Sequence, residues 1–119
     1  MTVLPYRQLI GRRGEDLAAR ELERRGHRIL ARRYRTRFGE IDIVARRGGI
    51  LAFVEVKTRG DFDTGIFALQ GRQFGRVARA ASLFIAHHPR YAVFSVRFDA
   101  VIVSGLWPRH LPDVWQPPE

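Results

Sequence analysis

The chain has 119 residues, 45% of them hydrophobic and 28% charged, and carries 21 Lys+Arg against 12 Asp+Glu for a formal net charge of +9. That fits one globular domain with a modest core and points toward a polyanionic partner, nucleic acid first. The absence of cysteine excludes disulfides, thiolate chemistry and Cys-ligated zinc, and fits a cytoplasmic setting.

The N-terminus, Met1-Thr2-Val3-Leu4-Pro5-Tyr6-Arg7, has no apolar run long enough for a signal peptide. No stretch approaches the ~20 apolar residues that span a bilayer, so no membrane association is expected. A first helix is predicted from about Arg7 to Arg25. Ile10, Gly14, Leu17, Ala18, Glu21 and Leu22 fall on one stripe at helical spacing, and Gly26 is placed to stop it. Ile29 to Arg35 alternates loosely and reads as an edge strand. Glu40 to Arg46 and Ile50 to Thr58 alternate more clearly. Between them, Gly48-Gly49 tolerates the positive φ angles of a two-residue hairpin turn. Gly60 to Gly71 reads as loop and Gly71 to His88 as a second helix, which Pro89 ends. Ala92 to Val103 reads as a strand. Prolines 108, 112, 117 and 118 make residues 107–119 an irregular C-terminal tail, leaving residues 1–106 as the single domain. The order α-β-β-β-α-β predicts a mixed α/β fold, a small sheet flanked by helices.

Lys57 is the only lysine; every other cation is an arginine. Arg is a planar fork that is always charged, whereas Lys is a compact point charge whose pKa can be tuned. A two-residue turn at Gly48-Gly49 makes facing residue numbers sum to 97, so Asp42 faces Glu55 and Glu40 faces Lys57. Those four side chains then project from one side of the sheet, and Ile41, Ile43, Val54 and Val56 from the other. Like charges directly opposite across two strands are destabilising. A divalent cation between Asp42 and Glu55 relieves that, and Mg²⁺ takes carboxylate oxygens while keeping sites for water and phosphate. Lys57 beside it is placed to hold a water and offset charge on a phosphoryl group, as metal-assisted phosphodiester hydrolysis requires. An E-x-K pair alone is ordinarily an exposed ion pair on a solvated strand. Here it interrupts the apolar run Leu51-Ala52-Phe53-Val54, where unpaired charge is costly.

These residues resemble the PD-(D/E)xK nuclease superfamily, with Asp42 as its Asp, Glu55 as the second acid and Lys57 as the Lys. Four segments narrow the resemblance to the YraN-like family, small bacterial proteins similar to archaeal Holliday-junction resolvases. They are Gly11-Arg12-Arg13-Gly14-Glu15-Asp16-Leu17-Ala18, Gly39-Glu40-Ile41-Asp42-Ile43-Val44, Phe53-Val54-Glu55-Val56-Lys57-Thr58-Arg59 and Arg97-Phe98-Asp99-Ala100-Val101. The resemblance implies a restriction-endonuclease-like core and an endonuclease acting on branched or structured DNA, in repair or recombination. It implies that Asp42, Glu55 and the Val56 carbonyl bind Mg²⁺ or Mn²⁺, that Lys57 positions the water, and that Glu15 is an additional acid reaching the site. Ile41 stands where the superfamily's proline would be, and Arg72-Gln73 where the family often has Lys-Gln.

Arg12, Arg13, Arg37 and Arg59 are expected to contact phosphates, and Gln73 to meet the site or the DNA backbone. Core packing is expected for Tyr34, Phe38 and Phe67, although each ring could stack on a base. His27, His87, His88 and His110 show no metal-ligand spacing. A catalytically silent nucleic-acid-binding module of the same fold, or a domain meeting an acidic protein, are the competing readings. Resolving a two-fold junction takes two cuts, so a homodimer is expected.

Overall fold

The computed structural model describes residues 6–118, with side chains from residue 12 onward. Helix α1 (Tyr6–Arg24) is followed by strands β1 (Arg28–Thr36), β2 (Gly39–Arg47) and β3 (Ile50–Thr58). Helices α2 (Phe62–Phe67) and α3 (Gly71–His87), a single 3₁₀ turn at Pro89–Tyr91 and strands β4 (Ser95–Ser104) and β5 (Trp107–Trp115) complete the chain. The five strands form one sheet in the order β1-β2-β3-β4-β5. All neighbours are antiparallel except β3 and β4, which are parallel. The mixed α/β class and the expected elements are therefore present.

Each face of the sheet has its own core. Ala18, Ala19 and Leu22 of α1 pack with Ile43, Ala45, Ala52, Val54, Val101 and Val103. Phe74, Val77, Ala81 and Phe84 of α3 pack on the opposite face with Val44, Leu51, Phe53, Phe98 and Ala100. Ile10 of the predicted α1 stripe has a side chain outside the described residues. Gly26 ends α1 as expected. Its φ of +87° lets His27 N–H reach the Leu22 carbonyl at 2.9 Å and its own N–H reach Glu23 at 3.0 Å, which satisfies carbonyls a straight helix end leaves open.

Two expectations are corrected. Residues 60–71 are not plain loop: Asp61 caps α2, its Oδ1 accepting from Thr64 N at 2.8 Å. Gly65 seats α2 so closely on Ile102 that an added Cβ would lie 2.2 Å from Ile102 Cγ2. Residues 107–119 are not an irregular tail, because nine of them form β5. An edge strand tolerates proline where the missing N–H would face solvent. The register shifts between Phe98 and Ala100, and there Asp113 (φ +54°) turns its N–H onto Asp99 Oδ1 at 3.0 Å.

Candidate active site

The β2–β3 ladder starts in the predicted register. Arg47 pairs with Ile50, Val44 with Phe53 and Ile43 with Val54. It then stops one step short of the acids, so Asp42 and Glu55 are not ladder partners and neither are Glu40 and Lys57. The reason is local. Asp42 Oδ2 accepts the Val56 N–H at 2.8 Å, so a carboxylate rather than a β2 carbonyl takes that donor and the strands part. Strict alternation fails at the same point. Ile41 packs in the α3-side cluster, not with Ile43, and Glu40 is exposed, with its Oε2 3.2 Å from Arg35 Nε. In β1 the matching irregularity is Arg33, whose φ of +52° is uncommon without a glycine.

Asp42, Glu55 and Lys57 do converge. Glu55 is buried, and Lys57 Nζ lies 3.2 Å from its Oε1. Gln73, in the first turn of α3, donates to the same Oε1 at 2.7 Å, so Gln73 meets the site through Glu55. Burial pushes the Asp42 carboxyl up to about 7. The neighbouring Glu55 and Glu15 carboxylates add to this, while the Val56 N–H and Lys57 oppose it. Burial likewise pushes Glu55 up, against the pull of Lys57. Two adjacent carboxyls whose charged forms are both disfavoured match a divalent-cation donor set, because a bound cation reverses both penalties.

Glu15 approaches this centre closely enough to act on Asp42, but its carboxylate is already engaged. Arg33 Nε and Nη2 donate to Glu15 Oε2 at 3.0 and 2.7 Å, and this fork raises the Arg33 pKa. Arg32 Nη2 binds Asp16 Oδ1 at 2.7 Å. Arg12 and Arg13 are exposed on α1. Arg37 is exposed and lies over the Phe38 ring at 5.0 Å, while exposed Arg59 donates to the Thr58 carbonyl at 2.7 Å. Tyr34 joins the α3-side core edge-on to Phe84. Phe67 does not fit the core expectation: it ends the short α2 and is 85% exposed.

Sequence reasoning missed a second buried cluster. His27, Asp99 and His110 bring ligand-type atoms within 4.8 Å of one another. A cation already sits among them. Arg97 Nε and Nη2 donate to Asp99 Oδ1 and Oδ2, both at 2.8 Å, and His110 Nε2 donates to Asp99 Oδ2 at 2.7 Å. His27 Nδ1 donates to the Leu22 carbonyl at 3.2 Å, so its Nε2 accepts from Arg97 Nη2 at 2.9 Å. Burial raises the Asp99 pKa, but His110 and Arg97 outweigh it and the carboxyl stays below its ordinary value. Burial, helped by His110 and Arg97, lowers His27. The only signal in the sequence was Asp99 within the Arg97–Val101 segment.

No helix among the described residues is long and apolar enough to cross a membrane. The model of a family described as "Uncharacterised protein family UPF0102" matches residues 14–103, which contain Glu15, Asp42, Glu55, Lys57 and Gln73. A UPF0102 protein of Rhodopseudomonas palustris is 48% identical over 103 residues, covering 86% of this chain and 79% of its own length. One from Parvibaculum lavamentivorans is 49% identical over 109 residues, 91% of this chain and 82% of its own. One from Sinorhizobium fredii is 43% identical over 106 residues, 88% and 87% respectively. The chain belongs to protein family UPF0102, the YraN family.

Proposed function

We propose that this protein is a metal-dependent endonuclease of the cytoplasm that hydrolyses phosphodiester bonds in DNA, with branched or structured DNA as the substrate class. The observation that carries this reading is the pair Asp42 and Glu55. Glu55 is buried and Asp42 partly so, both have raised pKa values where β2 and β3 part, and Lys57 lies 3.2 Å from Glu55. Carboxyls perturbed by burial beside a specific charge partner are candidates for a functional site. Asp42, Glu55 and the Val56 carbonyl would hold Mg²⁺ or Mn²⁺. Bound there, such an ion supplies Lewis-acid polarisation of a phosphoryl oxygen and a water of lowered pKa.

The chain's own residues supply the rest. Lys57 is a point charge on the rim of Glu55, able to hold a water and offset charge developing on phosphate oxygens. Gln73 fixes the Glu55 rotamer through its 2.7 Å bond, and the Val56 N–H fixes Asp42. Arg12, Arg13, Arg37 and Arg59 are the phosphate contacts, which set position rather than sequence preference. A two-fold junction takes two cuts, so the working unit is a homodimer. A monomer by sedimentation, both with and without DNA, would refute that part.

The test is cleavage of end-labelled four-way junction, flap, single-strand and duplex DNA with Mg²⁺, Mn²⁺ or EDTA. Wild type is compared with Asp42→Asn and Lys57→Ala. Cleavage that needs metal and is lost in both variants is the expected result. Salt-sensitive binding without cleavage, equal in all three proteins, would overturn it in favour of a silent nucleic-acid-binding module.

A further inference from the structure

Among the described residues, Leu106 and Trp107 stand out as large apolar side chains held in water, 67% and 80% exposed. They sit at the turn between β4 and β5. Ser104 pairs with Trp107, which leaves Gly105-Leu106 as a two-residue turn, and Gly105 has the positive φ (+60°) that such a turn takes at its first position. The turn is tight, so neither side chain can fold back into the core. Turns of this kind ordinarily carry polar residues. Leaving a large apolar side chain exposed forgoes the stabilisation its burial would give.

The turn's place in the sheet gives that exposure a use. Strands β3 and β4 are parallel, with Lys57 opposite Ile102 and Thr58 opposite Val103, so the turn projects from the same end of the sheet as the acidic centre. Trp107 is two residues beyond the Lys57 row and two strands across, about 12 Å from Lys57 at ~3.3 Å per residue and ~4.8 Å per strand. Open recesses flank it. One, of about 360 Å³, joins Leu106 to Arg13 and to Thr58, the neighbour of Lys57. The other, of about 490 Å³, runs beside Trp107 with Arg24, Arg25 and Arg109. Glu21 is the one acid on this rim, and it is paired with Arg24.

Resting on the nuclease reading, we propose that the β4–β5 turn is a nucleic-acid contact: Leu106 and Trp107 pack against unpaired bases next to the acidic centre, while the flanking arginines hold the phosphates of the same strand. Apolar side chains wedge between bases, and aromatic rings stack on any base exposed at a branch or single strand. Arginine supplies the backbone charge without reading sequence. A purely acidic chain would satisfy the arginines but give the indole and the leucine nothing to pack on. The turn would therefore make the protein favour DNA with unpaired nucleotides over plain duplex.

The test uses the two tryptophans. Trp115 stacks on Phe74 at 5.7 Å, and Trp115→Phe leaves Trp107 as the only tryptophan, excited selectively over the tyrosines. This protein, also carrying Asp42→Asn to prevent cleavage, is titrated in EDTA with oligothymidylate, a flap and a duplex. Anisotropy of the labelled DNA gives occupancy. Expected are quenching of Trp107 by oligothymidylate and flap, and a loss of affinity for both in Trp107→Ala. That loss should be roughly 5- to 100-fold, the ratio that ~1–3 kcal/mol per stacked base gives at ~1.4 kcal/mol per decade. Duplex affinity should stay within about twofold. Val93→Ser, which removes an exposed apolar residue at the opposite end of the sheet, should change none of these. Unchanged Trp107 emission at saturating DNA, equal affinities in Trp107→Ala, or quenching by polyglutamate instead of DNA would each overturn the proposal. Binding is read without metal. Quenching, together with a wild type that does not cleave in Mg²⁺ or Mn²⁺, therefore supports the contact while removing the nuclease reading, and wild-type cleavage with a silent Trp107 removes the contact alone.

Discussion

Replacing Asp42 by Asn should stabilise the metal-free protein at alkaline pH. In the folded chain the Asp42 carboxyl is pushed from 3.8 up to about 7, first by burial and then by Glu55. A group whose folded pKa is raised contributes stability that is full below its unfolded pKa and lost as pH rises through the folded one. For Asp42 that window runs from about pH 4 to about pH 7. The gap between 3.8 and about 7, at ~1.36 kcal/mol per pH unit, sets an upper limit of about 4 kcal/mol. Asp42 is only partly buried and its ionisation is tied to that of Glu55, so ~1–3 kcal/mol is the expected gain. Asn keeps the oxygen that accepts the Val56 N–H and removes only the ionisation. Urea denaturation in EDTA at pH 5, 7 and 9 measures it. Wild type should lose stability relative to Asp42→Asn as pH rises from about 4 to about 7, so the difference is larger at pH 7 than at pH 5 and changes little from there to pH 9. Taking the difference cancels His27 and Asp99, which titrate alike in both. A variant equally destabilised at every pH would refute the reasoning.

Four further outcomes follow from particular features of the fold. Asp99→Asn removes the counter-charge of buried Arg97 and should destabilise by ~3–5 kcal/mol in denaturant melts; a loss under ~1 kcal/mol would mean that Arg97 reaches solvent instead. In wild type the depressed Asp99 and His27 values give stability that is present above their unfolded values of 3.8 and 6.5 and lost as pH falls through the folded ones, so acid unfolding should begin on that side. Gly75, inside α3 with nothing within 4 Å of an added Cβ, should gain ~0.5–1 kcal/mol as Gly75→Ala, and a lowered midpoint would refute that. Gly14→Ala places a Cβ 2.2 Å from Thr58 Oγ1 and should cost ~1–3 kcal/mol. Thr58→Ala in the same chain should recover most of that, since the Thr58 Cβ is 3.5 Å away; additive losses in a double-mutant cycle would contradict the contact.

The hairpin and the acid-lysine set were legible because each rests on local signals. Gly48-Gly49 set the register, and a charged E-x-K in an apolar run pointed to a site. The point where the ladder ends was not legible, because it depends on Asp42 competing for the Val56 N–H, which no periodicity encodes. Helix α2 has six residues, too few for a helical pattern to emerge, and it depends on Asp61 as cap and on contact with Ile102. Strand β5 was hidden by its own prolines, which an edge strand accepts and a central strand would not. His27 and His110 lie at opposite ends of the sequence, and only the packing of α1 on β5 brings them together. Phe67 was misjudged because an aromatic residue in isolation is better assigned to a core.

The contrast between the two buried acidic clusters locates the chemistry. Asp99 has a complete set of partners: the two Arg97 donors, His110 and the Asp113 N–H. Its carboxyl is held below the ordinary value in spite of full burial, as expected of a structural ion pair. On the same sheet, Asp42 and Glu55 are pushed the other way, first by burial, which the one lysine beside two carboxyls does not offset; Glu15, the third acid nearby, has already taken Arg33. The chain has 20 arginines to spend against its single lysine, so this deficit of positive charge is not a shortage of cations. An arginine at position 57 would fork onto Glu55 as Arg97 forks onto Asp99, and would close the site with a fixed charge. Lysine leaves carboxylate edges free. Acids left underpaired at a break in the sheet are what the proposed metal-dependent reaction would use, and that, more than the motif itself, is the physical argument for proposing it.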